Sequence, residues 1–99
     1  MITSSVTGDL VADPGEVAYA TTKAALVGFT KALAREFADR HVRVNCICPG
    51  YIRTPLVDGM AQQSDPDDPE RAIAAIASAV PLGRLGTPEE CGELCAFLA

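Results

Sequence analysis

An unbroken run of helix-forming residues, Glu16 to Asp39, lies between two short stretches of β-branched character, and that order leaves few folds open. Met1 to Val6 reads as the tail of a strand, and Gly8, Asp9, Asp13, Pro14 and Gly15 supply turn chemistry for a loop from Thr7 to Gly15. The run that follows holds no proline and is rich in Ala, Leu, Lys and Arg, which predicts one long helix. Val42 to Cys48 is short, apolar and β-branched, and Pro49-Gly50 closes it abruptly. Strand, loop, helix, strand is a βαβ unit, and the right-handed crossover rule makes its two strands parallel in one sheet.

The helix shows two apolar stripes, Leu26, Phe29, Leu33 and Phe37 on one side and Ala20, Ala24, Val27 and Ala34 on another. Apolar surface on more than one side predicts a sheet against one face and a second helix, from a subunit partner, against the other, with Gly28 allowing close approach. Beyond Thr54, Pro55 to Gln62 has the composition of a short helix, and Gln63 to Pro69 reads as a solvated, mobile acidic loop. Glu70 to Ala79 reads as a helix anchored by Ile73 and Ile76. Thr87 as N-cap, Pro88 at the first helical position and Glu90 at the third predict a final helix with Cys91, Leu94, Cys95 and Leu98 inward.

With 99 residues, 48% of them hydrophobic, the chain has the substance of one domain or part of one. Eight scattered Lys and Arg against thirteen Asp and Glu leave a net charge of −5, which argues against nucleic acid as a partner. No apolar run reaches the length of a membrane span, and no basic region precedes an apolar one at the N-terminus, so a cytoplasmic address is expected. Cys46, Cys48, Cys91 and Cys95 are spaced C-x-C and C-x3-C, unlike zinc knuckles, and His41 is the lone histidine and lies outside either pair. No metal is expected, and the thiols read as small buried hydrophobes.

In parallel sheets, ligands gather beyond the carboxyl ends of the strands. Ser5 follows the first strand and Pro49 to Thr54 the second, while Tyr19 and Lys23 occupy the first turns of the helix between them. Residues four apart share a helix face, so an ammonium at Lys23 can stand beside the Tyr19 phenol and favour its ionised form. A phenol tuned in that way can exchange a proton near neutral pH.

These blocks, Ser4-Ser5-Val6-Thr7-Gly8, Tyr19-x-x-x-Lys23, Arg43-Val44-Asn45, Pro49-Gly50-Tyr51-Ile52-Arg53-Thr54-Pro55 and Pro81 to Glu90, stand in an order that resembles the short-chain dehydrogenase/reductase family. The resemblance implies an α/β fold, a partial Rossmann-like doubly wound sheet with C-terminal helices. It implies an NAD- or NADP-dependent oxidoreductase interconverting a small-molecule alcohol and a ketone. Tyr19 would be the general acid/base, Lys23 its cationic neighbour and a partner for the nicotinamide ribose, and Ser5 the group that orients the substrate oxygen. Ser5 lies fourteen residues before Tyr19, one more than a common spacing in the family, and Ser4 is the alternative. Pro49, Gly50, Ile52 and Thr54 would face the nicotinamide, with Asn45 a structural hydrogen-bonder and Tyr51 a pocket wall.

By the same resemblance, residues 1–54 form the catalytic βαβ segment and nicotinamide loop, 55–80 a substrate-covering region and 81–99 the C-terminal helix of one partial domain. The family's Thr-Gly-x-x-x-Gly-x-Gly turn for the cofactor is absent from these residues. The expected chain thus lacks the nucleotide-binding half and the last strand, leaves apolar sheet surface uncovered, and is inactive alone. A homo-oligomer through the helix over residues 16–39 is implied for a full-length protein. The alternative is a non-catalytic remnant of the family that serves as an oligomerisation module.

Overall fold

Three backbone hydrogen bonds at alternate residues set the sheet. In the computed structural model, which describes residues 1–99, the Ile2 amide donates to Asn45 O (2.9 Å), Ser4 to Ile47 O (2.8 Å) and Val6 to Pro49 O (3.1 Å). Donation at every second residue is the signature of a parallel ladder. Strand β1 (Ile2–Thr3) therefore runs parallel to β2 (Cys46–Ile47), with Ile2 opposite Cys46 and Thr3 opposite Ile47, as the crossover rule requires. β2 is shorter than the stretch expected from Val42 to Cys48. The register opposes Ile2 to Cys46, so Val42 to Val44 have no partner in β1, and extended chain becomes strand only where it is paired.

The chain then forms α1 (Val6–Asp9), α2 (Val17–Glu36), α3 (Pro55–Ser64), α4 (Pro69–Ser78) and α5 (Pro88–Leu98), in an α/β order. α1 replaces part of the expected loop. It is a single kinked turn, with Thr7 at ψ 125° and Gly8 at φ 103°, and its N-cap is Ser5. α2 passes at Ala38–Arg40 into a 3-10 turn that ends at His41 in the left-handed region (φ 57°). No helix is long and apolar enough to cross a membrane. The residues group into two compact units, Met1–Gly50 with Cys95–Ala99, and Tyr51–Leu94.

In the first unit Ile47 is the one buried hydrophobic residue, beside buried Ser4, Ser5 and Thr30. Ala20, Lys23, Leu26, Val27, Leu33, Ala34 and Phe37 of this stretch are half-buried. Phe29 is 53% exposed and leaves the stripe expected of it. At 3.6 residues per turn the covered arc centres between Thr30 and Ala34, and Phe29 lies about 120° from that centre. Ala18, Ala25, Gly28 and Ala32 share its open side. Asn45 acts structurally, its side-chain amide donating to Leu98 O (3.5 Å), while the Arg43 guanidinium donates to Ala99 O.

The second unit has its own core of Ala61, Ile73 and Leu85, bordered by Val57, Ala72, Ile76 and Ala77. Thr54 caps α3 by accepting from the Val57 amide (3.4 Å), and Asp68 caps α4 by accepting from the Arg71 amide (3.2 Å). Each cap is followed by proline at the first helical position, where its missing N–H costs nothing. The acidic stretch between these helices is solvent-exposed at Pro66, Asp67 and Asp68, with Asp65 half-buried. Asp65 accepts from Arg71 Nε (2.7 Å) and from the Asp68 amide (3.2 Å), so the turn is tied internally.

α5 starts where the capping pattern places it. The Glu90 amide donates to Thr87 Oγ1 (3.2 Å) and the Thr87 amide to Glu90 Oε2 (2.8 Å), a reciprocal box. Cys91, Cys95 and Leu98 are half-buried as expected, whereas Leu94 is exposed. Donation from Arg84, aided by the Thr87 amide, pulls the Glu90 carboxyl from 4.5 down to about 2. A depressed folded-state pKa means that the stabilisation is present above the unfolded value and is lost as pH falls through the folded one. The start of α5 is therefore expected to hold at pH 5 and to fray between about pH 4.5 and 2. Exchange of the first-turn amides of α5 across that range checks this, and Glu90→Gln should remove the pH dependence.

Candidate active site

The carboxyl end of β1 and the first turns of α2 are pinned to each other by reciprocal bonds. The Ser4 hydroxyl donates to Lys23 O at 2.6 Å, and Lys23 Nζ donates back to Thr3 O at 3.4 Å. The ammonium of Lys23 also stands over the Tyr19 ring, 5.6 Å from its centroid, within the range of a cation–π contact. Helical spacing provides this pairing directly, since residues 19 and 23 are one turn apart on α2. Tyr19 is 47% exposed, and its hydroxyl has no hydrogen-bond partner in the protein.

Ser5 has extended backbone (φ −156°, ψ 158°), and its Oγ accepts from the Thr7 amide at 3.1 Å. The oxygen is engaged and the hydroxyl hydrogen is unassigned. Ser4 is the opposite case, its hydrogen committed to the backbone of α2. The ladder bond from Val6 to Pro49 O brings the end of β1 beside the Pro49-Gly50 turn. At Gly50 an added Cβ would meet nothing within 4 Å, and its φ is not positive. Neither conformation nor packing inside the chain calls for glycine there. Alongside, burial pushes the Cys48 thiol up, and Cys46 adds to the shift. A thiol held protonated is a poor nucleophile, which sets Cys48 apart from an activated thiol.

Ile52 and Thr54 belong to the second unit. Ile52 pairs in parallel with Gly86, the bonds being Gly86 N to Tyr51 O (2.8 Å) and Arg53 N to Gly86 O (2.8 Å). In extended chain successive amides alternate sides, so the N–H and C=O of Ile52 face away from that pairing and are unused. Thr54 Oγ1 accepts from the Val57 amide, which leaves its hydroxyl hydrogen to donate elsewhere. Residues 5, 19, 23, 49 and 50 thus share the first unit, with 52 and 54 in the other.

Two residues here escaped the sequence reading in their actual roles. Ser4, expected only as an alternative to Ser5, is the pin between strand and helix. Arg53, assigned no role, donates from Nε to Asp58 Oδ1 (3.0 Å) and from both terminal nitrogens to the Glu70 carboxylate. Those donations hold the Glu70 carboxyl below the usual carboxylate range. A basic residue followed by two helical segments with acids in their first turns, Asp58 and Glu70, was the available signal.

Comparison with known proteins matches residues 1–99 to a family model described as enoyl-(acyl carrier protein) reductase. Oxidoreductase UcpA of Escherichia coli (strain K12) is 62% identical over 96 residues, covering 97% of this chain and 36% of that protein. The 3-oxoacyl-[acyl-carrier-protein] reductase FabG of Thermotoga maritima is 42% identical over 96 residues, covering 97% and 35%. Among solved structures, L-sorbose reductase from Gluconobacter frateurii, complexed with NADPH and L-sorbose, superposes with a TM-score of 0.86 at 34% identity, over 97% of this chain and 38% of that one. The chain spans about a third of the length of the curated relatives it matches. A likeness that takes in the whole chain, in sequence and in its partial Rossmann-like fold alike, has one meaning: the chain belongs to the short-chain dehydrogenase/reductase family, with UcpA-type bacterial oxidoreductases among its close relatives.

Proposed function

We propose that this chain carries the proton-transfer centre and the nicotinamide-facing loop of an NAD- or NADP-dependent oxidoreductase that interconverts a small-molecule alcohol and its ketone. The observation that carries the reading is the pinned triad of contacts at the end of β1, in which Lys23 is bonded to the strand and stacked on Tyr19. Relatives point the same way: FabG is a 3-oxoacyl reductase by name, and L-sorbose reductase was solved with NADPH and L-sorbose.

In this reading Tyr19 gives its phenolic proton to the carbonyl oxygen in reduction and takes it back from the alcohol in oxidation. Lys23, held through its carbonyl by Ser4 and through Nζ to Thr3 O, is fixed against the Tyr19 ring and so holds the phenol in place. Ser5 donates its unassigned hydrogen to the same oxygen and orients it. When bound, the nicotinamide supplies or accepts the hydride. Three features support that loop reading: the N–H and C=O of Ile52 are unused and would match a carboxamide's acceptor and donor, the Thr54 hydroxyl has a hydrogen to donate, and, in the first unit, Gly50 stands where nothing inside the chain requires glycine. The four unpaired thiols suit a reducing, cytoplasmic setting.

The two serines test the assignment. In the full reading frame that encodes this chain, Ser5→Ala is expected to lower kcat about a hundredfold, beyond the roughly 1 kcal/mol of stability lost with the α1 cap. Ser4→Ala is expected to lower the melting midpoint, at about 1 kcal/mol for a lost buried hydrogen bond, with a smaller effect on kcat. The reverse pattern would move the catalytic role to Ser4.

The open side of α2, with Ala18, Ala25, Gly28, Phe29 and Ala32, favours a second copy of the chain as its cover and so a homo-oligomer through residues 16–39. A non-catalytic oligomerisation module would use the same face. Ala25→Glu is expected to shift sedimentation toward the monomer, and an unchanged association state would count against both.

A further inference from the structure

We propose that Arg53 is a positioning residue that holds the Ile52–Thr54 segment in register with α3 and α4, so that the groups offered to nicotinamide are presented in one fixed orientation. The inference rests on the nicotinamide-loop reading above. Four N–H groups of this one residue serve three separate stretches of chain. Its Nε reaches Asp58 of α3 at 3.0 Å, and its two terminal nitrogens grip the Glu70 carboxylate of α4, Nη1 to Oε2 at 3.2 Å. Its backbone amide reaches Gly86 O at 2.8 Å. Asp58 and Glu70 stand in the first turns of their helices, so the guanidinium joins the starts of α3 and α4 to the residue between Ile52 and Thr54.

The planar fork of arginine suits this task, because it engages a carboxylate at two points and still has Nε free for a second acid. Lysine, a point charge on a flexible stem, would hold neither orientation. The segment is also held on its other side, where Gly86 N donates to Tyr51 O at 2.8 Å and Arg53 N to Gly86 O at 2.8 Å. The ion pairs are exposed, with Arg53 at 43%, Asp58 at 50% and Glu70 at 70%. Exposed pairs contribute little to global stability and are screened by salt. Their effect therefore belongs in the placement of the loop and not in the melting of the fold.

The test uses the full reading frame that encodes the chain, with Arg53→Met and Glu70→Gln, and titrates NADH or NADPH by the fluorescence of the reduced nicotinamide. ADP-ribose, or its 2′-phosphorylated form, serves as the nicotinamide-free probe. Each variant is expected to weaken the reduced dinucleotide about tenfold and to lose its fluorescence enhancement, with ADP-ribose affinity within about twofold and melting unchanged. Raising salt should move the wild type toward the variants. Undiminished enhancement and affinity in the variants would overturn the proposal, as would equal weakening of both ligands. If Arg53→Met fails to fold, Glu70→Gln gives the same answers with the arginine in place. A wild-type protein that binds ADP-ribose yet leaves the nicotinamide fluorescence unchanged would instead defeat the nicotinamide-loop reading itself.

Discussion

Tyr19→Phe, in the full reading frame that encodes this chain, is expected to lower hydride transfer about a thousandfold while leaving NAD(P)H affinity within about twofold. The substitution removes one oxygen and keeps the ring. The Lys23 ammonium, 5.6 Å from the ring centroid, retains its cation–π contact, and Lys23 keeps its bond to Thr3 O. Because the Tyr19 hydroxyl has no protein partner and the side chain is half exposed, no buried group is orphaned and α2 stays as it is. What disappears is the proton. Rates of NAD(P)H oxidation with a ketone, beside a binding titration, check this. Undiminished turnover would remove Tyr19 from the chemistry, and a parallel loss of binding would recast it as a contact residue.

The largest expected effect on folding comes from Gly8→Ala. Gly8 sits at φ 103°, where L side chains are strained, and its added Cβ would lie 2.3 Å from Ala20 O and 3.1 Å from Ala24 N. Both obstacles are backbone of α2, which cannot swing aside as a flexible side chain would. Strain and overlap together are expected to cost roughly 2–4 kcal/mol or to lift α1 off α2. Ser5 caps α1, so its hydroxyl would move with that turn. Two glycines serve as controls. Gly15 shares a positive φ of 87° but meets nothing within 4 Å, so its alanine variant should lose only the conformational part, about 1 kcal/mol. Gly50→Ala should barely affect stability, having neither constraint. Denaturant midpoints for the three variants decide it, and equal midpoints for Gly8→Ala and Gly50→Ala would refute the packing argument.

Much of the site was legible before any coordinates because the features that build it are local. The Tyr19 and Lys23 pairing follows from helical period alone, and the caps at Thr54 and Thr87 follow from side chains that reach three residues along the chain. Ser4 and Ser5 are adjacent and chemically identical, so nothing in the chain could say which hydroxyl would be spent on Lys23 O and which left with a free hydrogen. The acidic stretch is exposed as its composition implies, but its ties to Arg53 and Arg71 were out of reach in the same manner. A carboxylate in a polar loop reads as solvated unless its partner is known, and the partners of Asp65 and Glu70 are six and seventeen residues away.

By itself, then, the sequence determined the order of elements, the parallel crossover and the long helix that bears Tyr19 and Lys23, since period, propensity and chirality act over a few residues. Only the tertiary structure decided how much of Val42 to Cys48 is strand, which side of α2 lies open with Phe29, which serine keeps its hydrogen and what Arg53 grips. Each of those depends on a partner distant in the chain, and pairing of that kind exists only once the chain has folded.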